Sequence, residues 1–128
     1  GIRNSILSDF SSIEKRHDKG AIIETFVLLH LKSQLQANMD IRFWRTRQGE
    51  ELDFILLKDR VPCPVEVKAQ LKKPVVPDAM KLFLKRYKNT PFGIVFSNNK
   101  FDPVEVESRP VYFYHYFDSC AVDFLKNE

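Results

Sequence analysis

Apolar and polar positions change period several times along the 128 residues, and each change predicts an element. From Lys19 to Ala37 apolar residues such as Ile22, Ile23, Phe26, Val27, Leu28 and Leu31 run nearly all round a helical wheel, which predicts a helix buried on several sides. Ile41 to Arg47, Leu52 to Lys58 and Pro64 to Ala69 have the β-branched and aromatic content of strands. The short connections between them predict an antiparallel three-strand meander. In Asp78 to Lys88, Met80, Phe83, Leu84 and Tyr87 keep helical spacing, with Lys81, Lys85 and Lys88 opposite. Gly93 to Ser97 is a short apolar strand, so strand, helix and strand imply one crossover to a parallel neighbour.

The remainder is less regular. Asn98 to Pro110 reads as a turn-rich loop with two prolines, and Val111 to Phe117 as a last strand with both faces aromatic, closing the sheet. Gly1 to Lys19 reads as irregular with a short helical turn, and Asp118 to Glu128 as a tail with another. The abrupt start suggests a piece excised from a longer chain. Residues 1–128 are expected to form one α/β domain, with a mixed sheet flanked by helices.

Three charges interrupt the apolar strands: Asp53 in the second, Glu66 and Lys68 in the third. In Pro64 to Ala69 the alternation sends Val65 and Val67 to the core and Glu66 and Lys68 to the other face. A four-residue loop pairing Lys58 with Cys63 would set Asp53 opposite Lys68, with Glu66 diagonal to it. An odd loop would flip Asp53 away, so an even loop or a compensating bulge is expected. Two carboxylates beside a lysine suit a hard cation such as Mg²⁺, which takes one or two carboxylates plus water and phosphate oxygens. The lysine could then orient water or offset charge at a phosphate. The bland alternative is that Asp53 ends a turn, while Glu66 and Lys68 form a solvated strand face.

Glu24 lies inside the apolar run of the first helix, and a carboxylate there needs a partner or the edge of a cleft. His30 is better explained as a core histidine with one hydrogen bond than as a metal ligand. Trp44, flanked by Arg42 and Arg45, could stack on a base or sugar, although core filling is the commoner role.

Composition narrows the function classes. The 44% hydrophobic and 12% aromatic content fits a domain with a real core, and the net charge of +3 is too small for a polyelectrolyte binder. Ile41 to Lys73 carries eight basic against five acidic residues, so this stretch holds a surplus equal to that of the whole chain. Cys63 and Cys120 stand without zinc-like spacing and read as buried thiols of a reducing compartment. With no signal peptide and no apolar run near the ~20 residues of a membrane span, a cytoplasmic location is expected. A glycine-rich phosphate loop and a nucleophilic triad are both missing.

A helix with an internal acid, three strands bearing Asp53 and then Glu66-Val67-Lys68, a helix and a strand: this order resembles the core of the PD-(D/E)XK nuclease superfamily. Gly1-Ile2-Arg3-Asn4, the Gly20 to Leu31 helix with Glu24, Phe43-Trp44-Arg45-Thr46, Gly49-Glu50-Glu51-Leu52-Asp53-Phe54 and Pro64-Val65-Glu66-Val67-Lys68 add a closer likeness. They resemble the domain of unknown function at the C-terminus of a family of prokaryotic AAA-type ATPases. The resemblance implies a restriction-endonuclease-like core, an N-terminal ATPase part in the native chain, and convergence of Glu24, Asp53, Glu66 and Lys68. It places Leu52 where the superfamily motif has proline.

The leading expectation is therefore Mg²⁺-dependent phosphodiester hydrolysis of nucleic acid. Asp53 and Glu66 would bind the metal, Lys68 would position or activate water, and Glu24 would act through water or set the state of the lysine. Its rivals are a non-catalytic module that binds nucleic acid or protein and regulates the attached ATPase, and a structural or oligomerisation domain exposing its aromatic last strand.

Overall fold

A computed structural model of the chain describes residues 19–120. Expectations for residues 1–18 and 121–128, and for the Cys120 side chain, lie outside what it describes. Six strands form one sheet in the order β1-β2-β3-β4-β6-β5. They are β1 Met39–Arg45, β2 Glu51–Lys58, β3 Val61–Val67, β4 Gly93–Ser97, β5 Phe101–Val106 and β6 Arg109–His115. Helix α1 is Lys19–Ser33, helix α2 is Asp78–Arg86, and a 3-10 helix at Tyr116–Cys120 follows β6.

Alternation along the strands builds two cores. Phe54, Leu56, Cys63, Val65, Ile94 and Phe96 pack with Val27 and Leu31 of α1. Ile55, Val95, Val111 and Phe113 face the other way, onto Met80, Phe83 and Leu84 of α2. The helices therefore lie on opposite faces of a mixed sheet, with β3, β4 and β6 parallel to one another. The lysines of α2 face solvent, as its spacing predicts. Helix α1 departs from its expected burial. Val27 and Leu31 are completely buried in it and Ile23, Phe26 and Leu28 pack partly buried against the same core, but Leu29 is 56% exposed, so the helix is covered on fewer sides than its apolar run predicts. None of the helices among the described residues is long and apolar enough to cross a membrane.

Two corrections follow from the turns. The β2–β3 loop has an even number of residues, but only two: Asp59 and Arg60 take φ of 52° and 69°, and Lys58 pairs with Val61 rather than Cys63. This is the primed two-residue hairpin whose twist matches that of its strands. Pro62 and Pro64 are therefore strand residues. Their nitrogens point away from β2, toward a stretch that β4 does not yet pair, so no ladder bond is lost.

The segment read as a loop before Pro110 contains β5. Pro103 hid it, yet proline is tolerated on an edge strand, and here Asp102 and Pro103 together oppose Tyr112 in a bulge. The aromatic strand β6 consequently lies inside the sheet between β4 and β5. It is not the exposed edge.

Candidate functional site

The site begins with the turn from β1 to β2. Thr46 donates its N–H to the Glu50 carbonyl at 2.7 Å, and its hydroxyl accepts the Glu50 N–H at 3.1 Å. Gly49 supplies a φ of 93° that side chains rarely adopt. Beyond the turn Trp44 pairs with Leu52, but Arg42 pairs with Ile55, so Phe43 alone faces both Asp53 and Phe54. This is a β-bulge in β2. It resets the alternation, putting Leu52 in the same core as Ile55, three positions away.

At the bulge the β2–β3 ladder stops. Its last backbone pair is Phe54 with Val65, and the next position would set Asp53 against Glu66. Side chains take over there: Asp53 donates its N–H to Glu66 Oε1 at 3.0 Å, and Val67 donates its N–H to Asp53 Oδ2 at 2.7 Å. Each carboxylate stands where a ladder carbonyl would stand, which parts the strands and holds both acids in the gap. Beyond it β3 follows β4, with the Lys68 N–H donating to the Phe96 carbonyl at 2.8 Å. The Lys68 ammonium lies 3.6 Å from Glu66 Oε2, and its side chain is 45% exposed.

Glu66 is only 7% exposed. Burial, the neighbouring Asp53 charge and a hydrogen bond with the Asp53 side chain push its carboxyl up to about 7, against the opposing pull of the Asp53 N–H and Lys68. Glu24 is also raised, first by burial and then by the charges of Asp53 and Glu51. Glu24 and Asp53, but not Glu66, line an open pocket of about 350 Å³ together with Phe43, Trp44, Arg45, Glu51 and Leu52.

The structure thus brings Asp53, Glu66 and Lys68 together, with Glu66 rather than Lys68 opposite Asp53. Glu24 faces Asp53 across the pocket, and the acid beside Lys68 is Glu66. Among the described residues no group of three or more His, Cys, Asp or Glu side chains is arranged to hold a metal ion. The donors for a cation are two carboxylates, each with one oxygen committed to a backbone N–H. That set fits a hard ion that keeps most of its waters, and does not fit a closed protein cage.

His30 makes a hydrogen bond from Nδ1 to the Phe26 carbonyl at 2.8 Å, but it is half-buried on α1 rather than a residue of the core. Trp44 stands edge-on to Phe83 at 5.3 Å and fills the core on the α2 side. Sequence reasoning does not single out Phe43, which is 74% exposed at the pocket rim. The only available signal is its position next to a tryptophan whose side chain takes the opposite face.

A family model described as a domain of unknown function (DUF4143) matches residues 19–111. No curated protein matches the chain.

Proposed function

The chain belongs to that family of domains of unknown function, and for its site we propose metal-dependent, nuclease-like hydrolysis of nucleic-acid phosphodiester bonds, with Mg²⁺ held by Asp53 and Glu66. The observation that carries the reading is the interlocked carboxylate pair, whose mutual charge helps raise Glu66 to about 7. Two acids held together by backbone hydrogen bonds cannot move apart to relieve their repulsion, and a divalent cation relieves it.

Bound Mg²⁺ supplies Lewis-acid polarisation of a phosphate oxygen and acidifies a water. The chain's own groups do the rest. The N–H groups of Asp53 and Val67 fix one oxygen of each carboxylate and so orient the other. Lys68, half-exposed beside Glu66, orients a water and offsets charge building up at the phosphate. Glu24, across the pocket from Asp53, holds water on that side.

The element order supports a restriction-endonuclease-like core of the PD-(D/E)XK kind: α1, an antiparallel three-strand meander, α2, then β4 parallel to β3. In this reading the native protein is a cytoplasmic AAA-type ATPase with this domain C-terminal to its ATPase part.

A second reading, a non-catalytic module that binds nucleic acid or protein and regulates the ATPase, is favoured by one observation: no third ligand joins the two carboxylates among the described residues. Cleavage assays decide between them. The chain should cut single- or double-stranded DNA or RNA in Mg²⁺ or Mn²⁺, and Asp53→Ala and Lys68→Ala should each slow this by about 100-fold or more. No metal-dependent cleavage, or cleavage that survives both changes, overturns the hydrolytic reading.

A further inference from the structure

Phe43 is out of place by the rules that govern the rest of its strand. It is a large apolar side chain, 74% exposed, on the same face as Phe54, whose own ring is buried 6.2 Å away. Its position opposite the bulge makes it a cross-strand neighbour of Asp53, and both line the same pocket. Beside it Arg45 donates from Nε and Nη2 to Glu51 Oε2, at 2.9 and 2.6 Å, so that wall of the pocket is internally neutralised. A neutral aromatic plane therefore stands at the rim of a pocket that contains Asp53, with nothing among the described residues stacked on its open side.

Resting on the reading of Asp53 and Glu66 as a nucleic-acid site, we infer that Phe43 is the stacking platform for an unpaired base next to the phosphate at the carboxylates, so that the ligand is single-stranded or locally unpaired. A base in a duplex is stacked on its neighbours and paired at its edge, and offers no free face to a lone ring. An unpaired base offers its whole face, whatever its identity. Trp44 also lines the pocket, but its ring packs edge-on to Phe83 against the α2-side core, which leaves Phe43 as the aromatic on the open rim. The open volume of about 350 Å³ is at the small end for a ligand pocket and suits one nucleotide rather than a duplex.

The test is binding by the whole chain, measured by fluorescence anisotropy in Ca²⁺, with a labelled oligo-dT strand, an oligo-U strand and a DNA duplex of equal length. Phe43→Ala should weaken single-strand binding by about 5- to 100-fold. It should leave duplex binding and the melting temperature unchanged, and Phe43→Trp should restore the affinity. The dT and U strands show whether DNA, RNA or both are taken. A loss below twofold, or an equal loss for the duplex, overturns the inference.

The two readings fail separately. Phe43-dependent binding of single strands without cleavage in Mn²⁺ upholds the platform and removes the hydrolysis. Duplex cleavage that is indifferent to Phe43→Ala does the reverse. Binding of no nucleic acid at all overturns the platform and leaves Phe43 to a protein partner.

Discussion

Asp53 and Glu66 occupy opposing positions at the end of the β2–β3 hairpin, yet they are joined by side chains instead of a ladder. Glu66 accepts the Asp53 N–H, and Asp53 accepts the N–H of Val67, next to Glu66. The exchange satisfies two N–H groups that parting strands would otherwise leave bare, and it confines two carboxylates to one gap.

That confinement has a pH signature. Raised to about 7 from 4.5, Glu66 keeps a proton in the folded chain over a range where the unfolded chain has released it. The folded state binds more protons there, so stability falls as pH rises through roughly 4.5 to 7, and the full loss is reached above 7. Glu66→Gln removes the charge while keeping an acceptor for the Asp53 N–H. In EDTA, urea unfolding should show the variant equal to the parent below pH 4.5 and about 1–3 kcal/mol more stable at pH 8.

Arg109 closes the end of α2. It donates from Nη1 to the carbonyls of Tyr87 and Thr90, both at 2.9 Å, from Nη2 to the carbonyl of Leu84, and from Nε to that of Glu107 at 3.3 Å. A planar cation answering the carbonyls at a helix C-terminus is favourable both as a donor and against the helix dipole. Arg109→Ala should lower stability by about 2–3 kcal/mol in denaturant titrations. Arg109→Lys should recover less than half, because one ammonium cannot span the fork.

Gly93 opens β4 directly against α2. A Cβ there would lie 2.8 Å from Met80 Sδ and 3.5 Å from Pro64 Cγ, so the thioether of Met80, which is completely buried, would have to shift within the core. Gly93→Ala is expected to cost about 1–3 kcal/mol through overpacking. Thermal unfolding of the two proteins side by side measures it.

Arg60, by contrast, is a position where glycine should help. Its φ of 69° is the second of two left-handed residues in the β2–β3 turn, and Asp-Gly is among the preferred pairs for that turn. Arg60→Gly should raise stability by about 0.5–1 kcal/mol, read as a higher urea midpoint at unchanged slope. Asp59 stays in place because its Oδ1 accepts from Asn38 at 2.9 Å.

Much of this architecture is legible in the sequence, for identifiable reasons. Val65 and Val67 alternate with Glu66 and Lys68, which is enough to orient β3, and Met80, Phe83 and Leu84 orient α2 in the same way. What escapes depends on the partner strand. Pro62 reads as a turn residue because it lacks an N–H, and only the two-residue register reveals that this nitrogen needs no partner in β2. The same register puts Glu66, not Lys68, opposite Asp53. The bulge that exposes Phe43 belongs to β2 and leaves no mark on the pattern of β1. The grip of Arg109 on carbonyl groups is equally invisible, because its acceptors are backbone atoms.

Isothermal titration of Mn²⁺ into the chain at pH 7, in two buffers of different ionisation enthalpy, tests the carboxylate pair most directly. If Asp53 and Glu66 hold a divalent cation together, binding releases a fraction of a proton, because Glu66 at about 7 is then partly protonated and must ionise fully. Asp53→Asn should abolish both the binding and the proton release. Binding in the parent that survives Asp53→Asn, or no Mn²⁺ binding up to millimolar concentrations, contradicts the account.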